Sequence, residues 1–170
     1  ATSNWSRTKP NMIDTHCHLT YDGLHERIDE VLQHAHEAGV DRMITVGTSP
    51  EDARKAMALA QKYNHVFFTV GLHPHYTAEW SDRDAVVNAM RELAASPTCV
   101  ALGEMGLDRH NPEPSIETQR TALHWQLDVA KELTHLPIII HNREATDDTL
   151  AVLRESQIDP ARFVFHCFTG

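Results

Sequence analysis

Six short runs rich in Val, Ile, Phe and Thr recur along the chain, at residues 12–17, 42–47, 66–71, 99–104, 137–141 and 162–167. They mostly lack apolar/polar alternation, which predicts strands buried on both faces. Helical patterns fill the intervals. Leu24, Ile28, Val31, Leu32 and Ala35 form one apolar stripe, and Gly39 supplies a stop. Ser49 predicts an N-cap, with Pro50 at the first helical position and Glu51 and Asp52 in the first turn. Ser81 with Asp84 opens a third helix that continues through Val86, Met90 and Leu93. A longer helix is expected over about 114–133 and a fifth over about 145–155.

Strand and helix therefore alternate at a repeat of roughly thirty residues, the length of a βα unit. That is an α/β pattern with a parallel sheet, either doubly wound or closed as a (β/α)₈ barrel. Periodicity does not choose between them. The 170 residues suffice for one domain with a real core, expected over 12–170. Residues 1–11 are polar, contain Pro10 and lack the apolar stretch of a secretion signal, so they are expected to form a flexible leader. The apolar runs are far too short to span a membrane. Three cysteines, Cys17, Cys99 and Cys167, cannot all pair with one another and suit a reducing, cytoplasmic setting. A net charge of −9 argues against a broad electrostatic grip on nucleic acid. It leaves room for a nuclease in which bound cations meet the phosphate.

In both architectures the reactive face lies at the C-terminal ends of the strands. The first run ends IDTHCHL, so His16 and His18 stand two apart and can face one ion from an extended backbone. The fourth ends at Glu104, the fifth at His141 and the sixth at His166. One such histidine is more often a satisfied structural residue than a ligand. Four histidines and a glutamate at the tips of four strands would be expensive to bury without partners. Imidazole and carboxylate together suit Zn²⁺, Mn²⁺ or similar ions, and Mg²⁺ where oxygen dominates. Five ligands exceed the need of one tetrahedral ion, so two divalent ions bridged by Glu104 are expected. The GLHPH segment adds His73 and His75 to the same face, as a turn fixed by Pro74 or as substrate contacts. Arg143 could clamp a phosphate or pair with Glu144 or Asp147. Asp108 and Arg109 could orient a ligand histidine or touch substrate.

IDTHCHL, VGLHPH, GEMGLD, QRTALHWQLDVA, PIIIHNREA and HCFTG together resemble the TatD family of metal-dependent deoxyribonucleases, within the amidohydrolase-like superfamily of TIM barrels. The resemblance implies a two-metal hydrolase of DNA phosphodiester bonds, acting as an exonuclease on single strands, with Mg²⁺, Mn²⁺ or Zn²⁺; RNA is a further possible substrate. It implies His16, His18, Glu104, His141 and His166 as metal ligands, with Glu104 bridging. It implies Glu104 and His73 as catalytic residues, His73 lying near the scissile phosphate. Arg143, Asp108 and Arg109 stand as substrate contacts beside it. Family members often carry aromatics where Arg109 and His110 stand here. The resemblance also implies eight strands, of which about six are legible. The chain is therefore expected to be a piece of a longer protein, or to have its gap covered by a further segment or by self-association. A late aspartate that activates water in the family has no counterpart here, so turnover by these 170 residues alone is expected to be impaired. Two rivals stand beside this reading. One is a hydrolase of the same superfamily acting on an amide, a lactone or an aminoacyl-tRNA ester, and the other is an inactive metal-binding partner protein. A doubly wound cofactor domain fits least, because no GxGxxG follows the first strand.

Overall fold

The computed structural model describes residues 12–167, so the expected leader at 1–11 lies outside the described residues. Six strands, β1 (Met12–Cys17), β2 (Val40–Val46), β3 (Val66–Val70), β4 (Cys99–Asp108), β5 (Ile138–Arg143) and β6 (Phe163–His166), form one sheet. They are parallel and pair in strictly sequential order, β1 to β6. A doubly wound sheet reverses its strand order at a switch point. This sheet does not, which decides for the barrel topology.

The sheet also curls. In a flat sheet the first and sixth strands would lie about 24 Å apart, five spacings of about 4.8 Å. Here the rings of His16 on β1 and His166 on β6 stack with centroids 3.4 Å apart. The C-terminal ends of the strands thus converge on one point. The outer strands nevertheless keep apolar surface in solvent: Met12, Ile13 and Val164 are 42%, 53% and 47% exposed. β3 and β4 by contrast are almost wholly buried.

Five helices, α1 (Ile28–Ala38), α2 (Pro50–Lys62), α3 (Arg83–Ala94), α4 (Ile116–Glu132) and α5 (Thr146–Glu155), connect the strands. Their buried faces join the sheet in one apolar cluster that includes Phe68, Met90, Leu102, Leu123, Leu127, Ile138 and Ile140. Each such side chain contributes about 1.5–3 kcal/mol when fully buried. The caps follow local chemistry. Gly39 ends α1 in the left-handed region at φ 95°. The Ser49 hydroxyl accepts from the Asp52 N–H at the start of α2, and Ser115 does the same for α4 through Thr118. The cap of α3 is Asp82 rather than Ser81, because its carboxylate accepts from both Asp84 and Ala85 N–H groups. Arg162 donates to the carbonyls of Ala130, Leu133 and Leu136, fastening the entry of β6 to the end of α4.

β4 runs four residues past Glu104, where the sequence pattern predicted its end. The glycines of GEMGLD serve close approach between strands. A Cβ on Gly103, which sits at φ +112°, would lie 2.5 Å from the Ile139 carbonyl oxygen, and one on Gly106 would collide with that of His141. Pairing of β4 with β5 slips register between Leu102 and Met105. Glu104 sits in that irregularity, which re-aims its side chain into the curl of the sheet.

Candidate metal centre

Glu104, 3% exposed, lies at the middle of the convergence. Its two carboxylate oxygens face different histidines. Oε1 is 2.9 Å from His141 Nδ1, and Oε2 is 3.3 Å from His16 Nε2. His73 Nε2 lies 3.2 Å from His141 Nδ1. The ligand-capable atoms therefore form two clusters, His16–Glu104–His166 and His73–Glu104–His141, each with its atoms within 4.8 Å of one another. His18 lies outside both clusters, with its ring 5.2 Å from that of His16. His18 Nδ1 and His16 Nε2 are buried without an aligned hydrogen bond. Buried polar atoms left unpaired are uncommon and costly, and an ion would satisfy both.

The charges fit the same picture. Burial pushes the Glu104 carboxyl up, but the hydrogen bond from His141 and the close approach of His16 and His73 outweigh it and hold the group well below the usual carboxylate range. Burial, reinforced by His141, pushes His73 down to about 3. Burial and His16 likewise lower His18 and His166. Neutral imidazoles are the form that binds metal. His141 moves the other way: burial lowers it, but Glu104 and Asp108 outweigh burial and raise it. Its two nitrogens lie between two carboxylates, Nδ1 toward Glu104 and Nε2 3.0 Å from Asp108 Oδ2.

Asp108 is buried at the end of β4 and does more than the sequence showed. The same Oδ2 lies 2.9 Å from His75 Nε2, and Oδ1 accepts from the His110 and Asn111 N–H groups. A carboxylate that fixes the far nitrogen of a ligand-capable histidine sets both its tautomer and its orientation. Arg143 is exposed and shares a cavity of about 350 Å³ with His141 and His166. Among the described residues it pairs with neither Glu144 nor Asp147; Glu144 meets His110 instead. Arg109 points away to Asp148, at 2.6 Å.

Two buried residues escaped the sequence reading. Gln126 of α4 accepts from the Leu72 N–H and donates to the Leu72 carbonyl, pinning the segment that carries His73. Gln119, two turns earlier, does the same for Asp108 and also donates to the Pro114 carbonyl. The available signal was two glutamines seven apart on the apolar face of a helix, where amides are rarely left without partners.

Comparison with known proteins converges on one family. The model of the TatD related DNase family matches residues 13–170. The uncharacterized metal-dependent hydrolase YabD of Bacillus subtilis is 34% identical over 159 residues, covering 94% of this chain and 61% of that protein. A 3′-5′ ssDNA/RNA exonuclease TatD of Erwinia tasmaniensis is 37% identical over 160 residues, again covering 94% and 61%. The crystal structure of the TatD homologue YJJV from Escherichia coli superposes with a TM-score of 0.83 at 31% identity, covering 94% of this chain and 61% of that one. A TatD-family hydrolase from Entamoeba histolytica gives 0.84 at 28% identity, covering 95% and 59%. The chain spans about three-fifths of the length of these relatives.

Proposed function

Because this chain belongs to the TatD-related DNase family of metal-dependent hydrolases, we propose that it supplies the metal centre of an enzyme that hydrolyses phosphodiester bonds in single-stranded nucleic acid. The 3′-5′ direction is taken from relatives named for it. The observation that carries the proposal is the divided carboxylate of Glu104, with one oxygen toward each histidine cluster. The residues present fit two divalent ions, Mg²⁺, Mn²⁺ or Zn²⁺. The donors are imidazole and carboxylate, and His18 Nδ1 is buried without a hydrogen-bond partner among the described residues.

His16 and His166, with His18 beside them, would hold one ion and His73 and His141 the other, with Glu104 between the two clusters. Bound there, the ions would polarise a phosphoryl oxygen and lower the pKa of water. The protein's own groups do the rest. Asp108 holds His141 in one orientation. Neutral His73 presents Nε2 beside Glu104, where it can act as a ligand or accept a proton. Arg143 meets the phosphate at the rim by paired hydrogen bonds, whereas Arg109 is held by Asp148. DNA and RNA both present the phosphodiester this chemistry needs. The free edges of β1 and β6 are where a further segment or a second copy would pair. No helix among the described residues is long and apolar enough to cross a membrane. Three free thiols suit a reducing cytoplasm.

The test is hydrolysis of a single-stranded oligonucleotide with Mn²⁺ or Mg²⁺, compared with a panel of amide, lactone and aminoacyl-ester substrates under chelator control. The expected result is metal-dependent cleavage of the oligonucleotide, weak from these 170 residues alone and strong from a chain of the relatives' full length, that Glu104→Ala and His141→Ala each lower by about a hundredfold. Cleavage indifferent to both changes would remove the site assignment.

A further inference from the structure

Beside the metal centre lies a cavity of about 480 Å³ formed by the segments after β1, β2 and β3. Three aromatic side chains, Tyr21, Tyr76 and Trp80, line it. Two of them adjoin the histidines directly. The Tyr21 ring stacks on His18, with centroids 4.6 Å apart and planes 22° apart, and the Tyr76 ring lies 6.3 Å from His73. Tyr21 remains 41% exposed, so an aromatic surface is available in the cavity. Four of the lining side chains are acidic, Asp22, Glu51, Asp52 and Glu79, and the single cation in the lining, Lys55, pairs with Glu51 at 3.0 Å, which leaves the cavity net negative. Asp22 and Glu79 border the cavity and accept no hydrogen bond among the described residues, whereas Asp52 is already engaged by the Thr48 N–H and hydroxyl. Thr20, 7% exposed, lines the same cavity with its hydroxyl oxygen buried and unpaired.

A phosphate would be repelled by these carboxylates. A flat group that stacks on aromatic rings and donates hydrogen bonds would be held. Nucleobases stack on aromatic side chains whatever their identity. Carboxylates accept from the exocyclic amino groups of cytosine and its counterparts on adenine and guanine. The volume admits a nucleoside. A strand running through the cavity would carry further phosphates past Asp22 and Glu79, so only an end of the strand fits.

We propose that this cavity is the subsite for the 3′-terminal nucleoside, with the base against Trp80 and the tyrosines and its amino edge toward Asp22 and Glu79. The proposal rests on the nuclease reading above and deepens it. The aromatic wall supplies affinity, and the carboxylates make the site end-selective. They also favour amino-bearing bases over thymine and uracil, whose carbonyl oxygens they would repel.

The experiment measures equilibrium binding of two fluorescently tagged oligonucleotides in Ca²⁺, one ending in a 3′ adenosine and one in a 3′ abasic sugar. The tag sits at the 5′ end. The adenosine end is expected to bind about tenfold or more tighter, the worth of one stacked base. Trp80→Ala is expected to erase that difference and Trp80→Phe to restore most of it. Glu79→Gln, at an exposed position that does not threaten folding, is expected to narrow the preference of adenosine over thymidine ends. A 2-aminopurine placed at the 3′ end should lose fluorescence on binding through stacking. Equal binding of adenosine and abasic ends overturns the subsite while leaving the nuclease reading intact. Failure of both oligonucleotides to bind overturns the nuclease reading, and the subsite falls with it.

Discussion

On one side of Glu104, His141 is gripped by Asp108, and Asp108 is gripped by Gln119 on a buried helix face. On the other side, His16 and His166 lie ring on ring; Glu104 faces the His16 ring nitrogen, and the Asp14 carboxylate meets only the His16 backbone N–H. The first cluster sits between β3, β4 and β5, of which β3 and β4 are almost wholly buried. The second spans β1 and β6, the two strands with a single neighbour each. One half of the centre is therefore shaped by the protein alone. The other half has its donors in place and few internal bonds to hold them, so a bound ion should contribute more of its order.

Removing the shared residue tests whether these are two halves of one centre. Glu104→Ala is expected to abolish Mn²⁺ binding at both clusters, while His16→Ala removes one ion and leaves the other. Calorimetric titration reads the stoichiometry directly. If Glu104→Ala retains both ions, the carboxylate does not bridge and the comparison collapses.

Cutting the scaffold behind the braced half comes next. Gln126→Leu fills similar space on α4 but leaves the Leu72 N–H and carbonyl without partners. Each unpaired buried group costs about 1–3 kcal/mol, so the loss of two partners should be about 2–6 kcal/mol in urea unfolding. An unchanged midpoint would mean that water replaces the amide and that the brace is weaker than its geometry suggests.

Asp108→Asn is a gentler cut at the same half. It keeps the size of the side chain and alters the acceptor that fixes His141 and His75. Partners of this kind are worth about 10–100-fold in metal affinity. That loss should fall on the His73–His141 cluster and spare His16–His166. Equal weakening of both ions would show that the two halves are coupled through Glu104 rather than separately built.

What the sequence disclosed divides along the same line. Buried parallel strands write themselves as unbroken apolar runs, so six strands and five helices were legible. His16, Glu104, His141 and His166 were legible because each ends such a run. The brace was not. Gln119 and Gln126 look like ordinary polar helix residues until the helix is docked, and of the brace only Asp108 stood out, as a residue that could orient a ligand histidine. His73 was expected at the substrate, yet its nitrogen lies with the ligand-capable atoms of His141. Such pairings depend on how closely β4 approaches β5, which no local pattern encodes. The cap of α3 shows the same limit at small scale. Ser81 and Asp82 are both good caps by composition, and only backbone geometry selects Asp82.

The three thiols report on the comparison with the least disturbance. Cys99 begins β4 in the buried half, and burial pushes its pKa up to about 11. Cys17 ends β1 in the open half; burial, with a smaller push from Asp14, raises it to about 12, and its thiol donates to the Ile44 carbonyl. Cys167, just past β6, is exposed. Alkylation needs both access and thiolate. At pH 8 the native protein should therefore label quickly at Cys167 and slowly at the other two, read by mass spectrometry of the peptides. Raising the pH to 9 should leave Cys17 and Cys99 slow, since both stay well below their own pKa. If the β1 side opens more readily than the β4 side, Cys17 will label before Cys99 despite its higher pKa, and a bound ion at His16 will slow it. Labelling of Cys99 ahead of Cys17 would reverse the assignment of which half is held by the protein and which by its metal.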